Sequence, residues 1–281
     1  MSQPLVVRLL GPVEPALPVV LSVPHAGREW TPAMRAACLA DSGALLPLED
    51  RFADRLVDRA VDVGFTVLTC DVPRAWIDLN RAPDDLDWNR LTAEPPQPVS
   101  ARAAAGIGVV PDRLPDIGPL WRAPLSRAEV ARRVDAVHEP WHAKLGGLLE
   151  SALARFGEVV LLDIHSMPKA SSRQADIVLG TLRGRSVAAE WVHTARLALA
   201  SRGRRVAIDQ PYAGAHIAER HGRPAGNQHV LQIEMCRGLY LDAAAKQPSD
   251  GLSRAAEDVL AVAEAISGRL DPSDVIPLAA E

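Results

Sequence analysis

An apolar run that ends abruptly in polar residues constrains the fold of this chain more than any other feature. Residues 159–168 read Val-Val-Leu-Leu-Asp-Ile-His-Ser-Met-Pro. Continuous Val and Leu without alternation is typical of a buried strand that is covered on both faces. A period of two places Asp163 and His165 on one face of that strand. Because ligands bind at the carboxyl edge of open α/β sheets, we expect functional side chains at this edge.

A second segment has the same design, since the apolar residues 19–23 are followed by Pro24-His25-Ala26-Gly27. One histidine at a strand end is as often a hydrogen-bonded core residue as a ligand. Two buried strands that each deliver a histidine to the sheet edge instead have the pattern of a metal site. Zinc held by two imidazoles takes a third protein ligand, often a carboxylate, and keeps one position for water. Glu49 and Asp50 are candidates, although the dipole of a helix would also favour acids in its first turn.

Composition bounds the class of protein. The chain has 281 residues, of which 48% are hydrophobic, enough for one large α/β domain or two small ones. The formal net charge of −4 offers no overall basic surface for nucleic acid or acidic lipid, so neither is an expected partner. Cys38, Cys70 and Cys236 lack metal-site spacing and predict buried, unpaired thiols. No signal peptide or membrane span is evident, which predicts a cytoplasmic location.

The apolar periodicity predicts alternating strands and helices, and therefore a sheet with helices on both faces. Further strands are expected at residues 5–10, 65–70, 175–180, 205–208 and 229–235. Helices are expected from Thr31-Pro32, at 47–63, from the capping box at Ser126 through Leu153, at 186–201 and at 252–270, with a short tail from residue 271. The Pro- and Gly-rich residues 82–125 predict an inserted loop or lid within one domain that spans 1–281.

The segment 71–81 combines apolar residues with Arg, Asp and Asn. In a regular strand, alternation would place Arg74, Asp78 and Asn80 on one side and Arg81 on the other. Asn80-Arg81 suits carboxylate recognition, because a guanidinium binds a carboxylate through two parallel hydrogen bonds. A structural ion pair is the alternative, and it is favoured more for Arg74 than for Arg81.

Two further patterns contain acidic residues. Glu234 lies in the apolar strand 229–235, where a carboxylate is costly unless it is paired, for example with an arginine, or lies near a metal. Residues 138–142 match the zincin motif His-Glu-x-x-His. That mechanism needs both imidazoles on one face of an unbroken helix, and Pro140 removes a backbone donor, so we disfavour a zincin site here.

Four segments together resemble the N-formylglutamate amidohydrolase family. They are Pro24-His25-Ala26-Gly27, Arg74 to Arg81, Asp163 to Pro168 and His229 to Met235, and the resemblance runs from about Val19 to Leu241. It implies a three-layer α/β/α sandwich with a mostly parallel mixed sheet, similar to zinc carboxypeptidases and aspartoacylases. It also implies hydrolysis of N-formylglutamate to glutamate and formate, a step of histidine degradation, with one zinc ion per chain and a small acidic substrate as partner.

Carried over to this sequence, the resemblance implies that His25 and His165 bind the metal and that Glu234 acts on water. Asn80-Arg81 resembles the pair that holds a substrate carboxylate in the related peptidases, with Arg74 nearby. The carboxypeptidase pattern has Glu three residues after its first histidine, where this chain has Arg28. Asp50, at an acidic position of the family, is therefore the expected third ligand, with Glu49 and Glu29 as alternatives. His142 and His229 also fall in family segments, without an assigned role.

Two other functions fit the same residues. One is a metal-dependent peptidase or N-acyl amino acid amidohydrolase with a different substrate. The other is a binding module for acidic ligands that uses Arg74 and Arg81 without catalysis. The sequence leaves the oligomeric state open.

Overall fold

A central sheet organises the molecule. The computed structural model describes residues 7–41, 43–91, 98–169 and 175–270. Within these ranges seven strands form one sheet, namely β1 (Val7–Leu10), β2 (Val19–Val23), β3 (Thr66–Cys70), β6 (Val159–Met167), β7 (Ile177–Gly180), β8 (Val206–Ile208) and β9 (Gln228–Cys236). Their order in the sheet is β1-β3-β2-β6-β9-β7-β8. The small pair β4 (Arg113–Leu114) and β5 (Gly118–Pro119) forms a separate ribbon.

The sheet is mixed and mostly parallel, as predicted. Strands β3, β2, β6 and β9 run parallel to one another, and β7 and β8 are also parallel to each other. The antiparallel pairings are β1 with β3 and β7 with β9. The carboxyl ends of β2, β6 and β9 therefore meet at one edge of the sheet.

The helices are α1 (Pro32–Ala37), α2 (Asp58–Asp62), α3 (Trp88–Leu91), α4 (Ala101–Ala104), α5 (Arg127–Arg133), α6 (Glu139–Phe156), α7 (Ala189–Ser201), α8 (His216–His221) and α9 (Leu252–Leu270). A π-helical turn (Val134–His138) connects α5 directly to α6. The N-cap predicted for α1 is present, because Thr31 Oγ1 accepts a hydrogen bond from the backbone N–H of Met34. No helix in the described ranges is both long and apolar enough to cross a bilayer.

Two hydrophobic cores cover the two faces of the sheet. Alternate residues of each strand enter different cores, as Val20 and Leu161 do on one face and Leu21 and Leu162 on the other. The first core packs against α6 and residues of the predicted insertion, and the second against α2, α7 and α9. This is the predicted three-layer α/β/α architecture. All three cysteines are buried and free, as expected.

The predicted helix over 47–63 is wrong. The chain forms a 3-10 turn at Leu46–Leu48, an extended link at Glu49 and Asp50, a second 3-10 turn at Ala53–Val57, and only then α2. The break lies at Phe52, which has a left-handed backbone with φ of 60°. The guanidiniums of Arg28 and Arg51 both stack on the Phe52 ring. Asp50 consequently does not lie in a first helical turn, and the helix dipole does not account for it.

The segment 71–81 is also not a regular strand, and the predicted alternation of faces is wrong. It consists of turns, in which the backbone N–H of Trp76 bonds the carbonyl of Pro73 and the N–H of Asp78 bonds the carbonyl of Val109. Arg74, Asn80 and Arg81 therefore line the same cavity instead of pointing to opposite sides.

The insertion predicted at 82–125 has secondary structure of its own, with α3, α4 and the β4–β5 ribbon. Val109, Val110 and Leu120 are fully buried in the first core, which anchors it to the body of the chain. Residues 92–97 of the insertion, the predicted strand start at 5 and 6, and the tail from 271 lie outside the described residues.

Candidate metal centre and substrate cavity

The carboxyl edge of β2, β6 and β9 opens into a cavity of about 330 Å³. His25 follows β2, while His165 and Glu234 are register partners on the neighbouring strands β6 and β9. The predicted site residues all contribute to its lining, namely His25, Asp50, Arg74, Asn80, Arg81, His165 and Glu234. The structure thus brings together side chains that lie far apart in the sequence.

The loop after β2 places His25 by packing tightly against the segment that follows β3. A Cβ atom added at Gly27 would lie 2.2 Å from the carbonyl oxygen of Val72, so only glycine fits at this position. The backbone N–H of Asp50 donates to the carbonyl of His25 at 3.0 Å. Glycine and this hydrogen bond fix His25 and Asp50 next to each other.

The imidazoles of His25 and His165 are each oriented by a hydrogen bond to an aspartate. His25 Nε2 donates to Asp78 Oδ1 at 2.8 Å, and His165 Nε2 donates to Asp163 Oδ2 at 2.8 Å. All four side chains are buried. A carboxylate acceptor fixes the proton on Nε2, so each ring directs Nδ1 toward the other side.

Both Nδ1 atoms converge on Asp50. His165 Nδ1 lies 3.1 Å and His25 Nδ1 3.4 Å from Asp50 Oδ2. His25 Nδ1 is buried and has no hydrogen-bond partner of proper geometry among the described residues. Asp50 Oδ1 is held by the hydroxyl of Ser166 at 3.0 Å, which in turn accepts from Arg237 Nε at 3.0 Å.

Asp50 and His165 each shift the pKa of the other. Burial alone would raise the pKa of Asp50, but His165 and His25 hold this pKa well below its usual value. Burial alone would lower the pKa of His165, but Asp163 and Asp50 raise it well above its usual value. The close contacts between imidazoles and carboxylates therefore outweigh the effect of burial on both pKa values.

This donor set fits a divalent metal ion. His25, Asp50 and His165 offer ligand atoms that all lie within 4.8 Å of one another. Two imidazoles with one carboxylate are a ligand set of catalytic zinc sites, and histidines that bind zinc commonly donate their other N–H to a carboxylate. The buried, unpartnered Nδ1 of His25 is the atom that such an ion would satisfy.

Glu234 is the remaining carboxylate on this edge. Its Oε1 accepts from Gln232 Nε2 at 2.9 Å on the same strand. Burial raises the pKa of Glu234 to about 7, although the nearby His165 works in the opposite direction. A carboxylate with a pKa near neutrality both accepts and releases a proton readily, which suits a general base that later acts as an acid.

The segment 74–81 forms the opposite wall around Asp78. Arg74 Nε donates to Asp78 Oδ2 at 2.8 Å, which is the structural ion pair considered for Arg74. Asp78 Oδ1 also accepts from the backbone N–H of Asn80 at 2.9 Å. Asn80 Oδ1 accepts from the backbone N–H of Ile217 at 2.8 Å, so much of the Asn80 amide is used to tie the wall together.

Arg81 is a buried cation on this wall, and part of its guanidinium has no partner among the described residues. Its Nε donates to the carbonyl of Ile107 at 3.2 Å and its Nη1 to the carbonyl of Asn80 at 2.7 Å. Nη2 is buried without a partner among the described residues. Burial lowers the pKa of Arg81 to about 10, which leaves the guanidinium charged at neutral pH. An anion in the cavity would satisfy Nη2.

The alternatives for the third ligand lie elsewhere. Glu49 is buried, but its Oε2 accepts from Arg51 at 2.8 Å, and Glu29 is exposed on the surface. His229 lies at the opposite end of β9, where its Nε2 bonds Glu158 at 2.8 Å. That contact gives His229 a structural role in the fold.

Pro140 does not separate the two histidines of the His-Glu-x-x-His sequence, contrary to the sequence-based expectation. It lies in the first turn of α6, directly after the π-helical turn, and the rings of His138 and His142 are 4.4 Å apart between centroids. Glu139 is paired with Arg220 at 2.8 Å, outside the cavity at the sheet edge. Both histidines instead bond the wall segment, His138 to the carbonyl of Arg81 and His142 to that of Leu79.

Sequence reasoning assigned no role to the two aspartates that hold the imidazoles. Asp163 was detectable, because it precedes His165 by two residues and shares its face of the strand. Asp78 was not detectable from the sequence, because its contact with His25 depends on the irregular turns of residues 71–81. Ser166, Arg237 and the residues of the insertion that line the cavity, such as Ile107, depend equally on tertiary structure.

The sheet edge thus combines a buried His-Asp-His cluster, a neighbouring glutamate and a guanidinium with one unpartnered nitrogen among the described residues, a set of groups suited to hydrolysis. Comparisons with known proteins narrow the class. The family model described as N-formylglutamate amidohydrolase matches residues 17–241. The chain belongs to this family.

Individual relatives agree with this assignment. The chain is 30% identical over 236 residues to an N-formylglutamate deformylase of Pseudomonas aeruginosa, which covers 80% of this chain and 83% of that one. An N-formylglutamate deformylase from Pseudomonas putida is 29% identical, and the match covers 80% of this chain and 82% of that one. The crystal structure of N-formylglutamate amidohydrolase from Ralstonia eutropha JMP134 superimposes with a TM-score of 0.86 at 30% identity, covering 94% of this chain and 98% of that chain.

Proposed function

We propose that this protein hydrolyses the N-formyl amide of N-formyl-L-glutamate to L-glutamate and formate, with one zinc ion held by His25, Asp50 and His165. The observation that carries the proposal is the convergence of both histidine Nδ1 atoms on Asp50 Oδ2, in a cavity that also contains Glu234 and Arg81. Membership of the family and two deformylase relatives support the substrate. A place in histidine degradation, which the family activity implies, belongs to the same proposal.

A zinc ion in this position would supply Lewis acidity for the formyl carbonyl and lower the pKa of a bound water from about 15.7 toward about 7. The chain itself orients the two imidazoles, because Asp78 accepts from Nε2 of His25 and Asp163 accepts from Nε2 of His165. Ser166 and Arg237 fix the carboxylate of Asp50. The site is therefore preorganised by hydrogen bonds that do not involve substrate.

Glu234 would move the protons. It takes one proton from water as the water oxygen bonds the formyl carbon, and it delivers a proton to the amide nitrogen as the C–N bond breaks. Water and the amide give formate and the free amino group, so atoms and charge balance without another reactant. The raised pKa of about 7 keeps both protonation states of Glu234 accessible near neutral pH.

Arg81 would bind a carboxylate of the substrate. Its Nη2 is buried and has no partner among the described residues. A substrate carboxylate in the cavity would accept a charge-assisted hydrogen bond from Nη2. Arg74 and Asn80 line the same wall, and both are braced by Asp78. The cavity of about 330 Å³ is in the size range of small-molecule sites.

The test is an activity panel with N-formyl-L-glutamate, N-acetyl-L-glutamate, N-carbamoyl-L-glutamate and N-formyl-L-leucine, measured with and without added zinc. We expect preferential cleavage of N-formyl-L-glutamate, with loss of both zinc and activity in His165→Ala. Exposed His193 provides the matched control, His193→Ala, which should retain both. Preference for N-acetyl-L-glutamate, or for N-formyl-L-leucine with its neutral side chain, would contradict the proposed substrate and indicate another amidohydrolase specificity. A zinc-bound protein inactive on the whole panel would contradict the proposal.

A further inference from the structure

A second group of histidines lies behind the wall segment 79–81. We name it the α6–α8 histidine cluster, and it consists of His138, His142, His216 and His221. Ring centroids are 4.4 Å apart for His138 and His142, 5.6 Å for His138 and His216, and 5.2 Å for His142 with both His216 and His221. None of these histidines lines the cavity at the sheet edge.

Hydrogen bonds to the backbone fix two of the rings. His138 Nε2 lies 2.9 Å from the carbonyl oxygen of Arg81, and His142 Nε2 lies 2.9 Å from that of Leu79. A carbonyl oxygen only accepts, so each Nε2 must carry the proton and each Nδ1 must present its lone pair. Metal-binding histidines typically have this arrangement, with one ring N–H donated to a backbone carbonyl or carboxylate and the other nitrogen on the ion.

One ring nitrogen of this cluster lacks a partner. His216 Nε2 is buried and has no partner among the described residues. Glu139 Oε1 lies 3.3 Å from His138 Nδ1, but it also accepts from Arg220 Nη1 at 3.1 Å, so this carboxylate is already paired with a cation.

We propose that His138, His142 and His216 bind a second divalent transition-metal ion, of the zinc, nickel or copper class. Their ligand atoms lie within 4.8 Å of one another and would draw together to the spacing of about 3.3 Å that zinc–nitrogen bonds of about 2.0–2.1 Å require. Imidazole ligands select these metals, whereas magnesium and calcium prefer oxygen ligands.

Binding has an identifiable competitor within the cluster. His142 Nδ1 lies 2.9 Å from His221 Nε2 and accepts its hydrogen bond, which the ion must replace. His221 also stacks on His142, with 15° between the ring planes. Because His138 and His142 also hold the carbonyls of Arg81 and Leu79, the ion would rest directly behind the wall that carries Arg81.

The experiment counts metal ions in the full-length protein. Protein stripped with a chelator is dialysed against zinc, and bound zinc per chain is measured by elemental analysis. We expect two ions in the wild type and in His193→Ala, one in His216→Ala and in His165→Ala, and none in the double variant His165→Ala/His216→Ala. His216→Gln provides a second variant if His216→Ala is poorly folded by circular dichroism.

Copper identifies the ligands independently of the count. In the His165→Ala background, bound Cu²⁺ should give an electron paramagnetic resonance spectrum with nitrogen hyperfine structure that disappears in His216→Gln. One zinc per wild-type chain, lost in His165→Ala, would overturn the proposal. A second ion that persists in both His216 variants would also overturn it, because that ion must be held elsewhere.

Discussion

The two histidine clusters use the same residue type in opposite electrostatic settings. In the cluster at the sheet edge, Asp78 and Asp163 accept the ring N–H groups, whereas in the α6–α8 histidine cluster backbone carbonyls do so. Carboxylates raise the pKa of His165 well above its usual value. Burial lowers the pKa of His138, whose Nε2 donates to the carbonyl of Arg81. The partner of the second ring nitrogen, and not burial alone, decides how basic each histidine is.

The difference has consequences for function. A carboxylate behind an imidazole makes it a better ligand and adds negative charge that favours a dication, whereas a peptide carbonyl mainly orients the ring. The sheet-edge cluster also has Asp50 and Glu234 facing the cavity, while the carboxylate that contacts the α6–α8 histidine cluster, Glu139, is paired with Arg220. Chemistry is therefore expected at the sheet edge, and the second cluster is expected to support it.

The segment 79–81 joins the two clusters. Its carbonyls bind His142 and His138 on one side, while the side chain of Asn80 reaches Gln232 at 3.3 Å and lies 3.4 Å from His165 on the other. Substitutions in the two clusters should consequently have separable effects. Those at the sheet edge should change turnover, and those in the α6–α8 histidine cluster should change the stability of the fold.

The largest effect that leaves the metal in place is expected for Glu234→Gln. The substitution keeps the side-chain volume but removes the proton acceptor, so kcat should fall on the order of a hundredfold or more. Steady-state kinetics with N-formyl-L-glutamate and zinc analysis of the same sample provide the measurement. Exposed Glu264→Gln on α9 is the control. If Glu234→Gln loses its zinc, the residue is a ligand, and if it remains fully active, the base lies elsewhere.

Asp163→Asn tests what the carboxylate behind an imidazole contributes. Asp163 accepts from His165 Nε2 and from the hydroxyl of Ser22, at 2.8 and 2.6 Å, and is fully buried. Removing its charge should weaken zinc binding about 10- to 100-fold, as for other partners of metal-binding histidines. Competition with a chelator gives the affinity, and Asp176→Asn, at a carboxylate that pairs with Arg205 outside the cavity, is the control. Unchanged zinc affinity would show that Asp163 only supports the fold.

Arg81→Lys tests the guanidinium on the wall between the clusters. Lysine keeps the charge, but it cannot bond the carbonyls of Ile107 and Asn80 and also offer a donor where Nη2 lies. The loss should be roughly 1.5 to 3 kcal/mol in kcat/KM, or about ten- to a hundredfold. Arg81→Ala should cost more. N-formyl-L-leucine is the internal control, because it keeps the α-carboxylate and lacks only the side-chain carboxylate. A loss confined to N-formyl-L-glutamate would mean that Arg81 binds the side-chain carboxylate. Equal losses on both substrates would contradict that pairing, because Arg81 would then bind the shared α-carboxylate or only position the wall.

Much of the sheet could be predicted because its strands are buried on both faces. The runs that contain His165 and Glu234 could be recognised without an alignment, since a polar residue inside such a run is costly and therefore conspicuous. Helix α9 was predicted with its bounds, Leu252–Leu270, because an amphipathic period over 19 residues is a strong local signal.

The remaining errors share a cause, which is that tertiary contacts decided the backbone. Residues 47–63 contain a good helical pattern, but Phe52 adopts a left-handed conformation between two stacked arginines. Pro140 was expected to disrupt a helix, yet the π-helical turn before it shifts the hydrogen-bond register so that the missing N–H falls in the first turn of α6. Local propensity cannot report such contacts.

His142→Gln should have the smallest effect on turnover and the clearest effect on stability. His142 is buried and joins the carbonyl of Leu79 to His221, so its replacement leaves buried groups without partners and should lower the free energy of unfolding by about 1 to 3 kcal/mol. Urea denaturation measures this loss, and His193→Gln on the surface should be neutral. Zinc at the sheet edge should be retained, because its proposed ligands are His25, Asp50 and His165 and do not include His142. If His142→Gln instead releases that zinc without a change in stability, the two clusters are not separable. Segment 79–81 would then couple the α6–α8 histidine cluster to metal binding at the sheet edge.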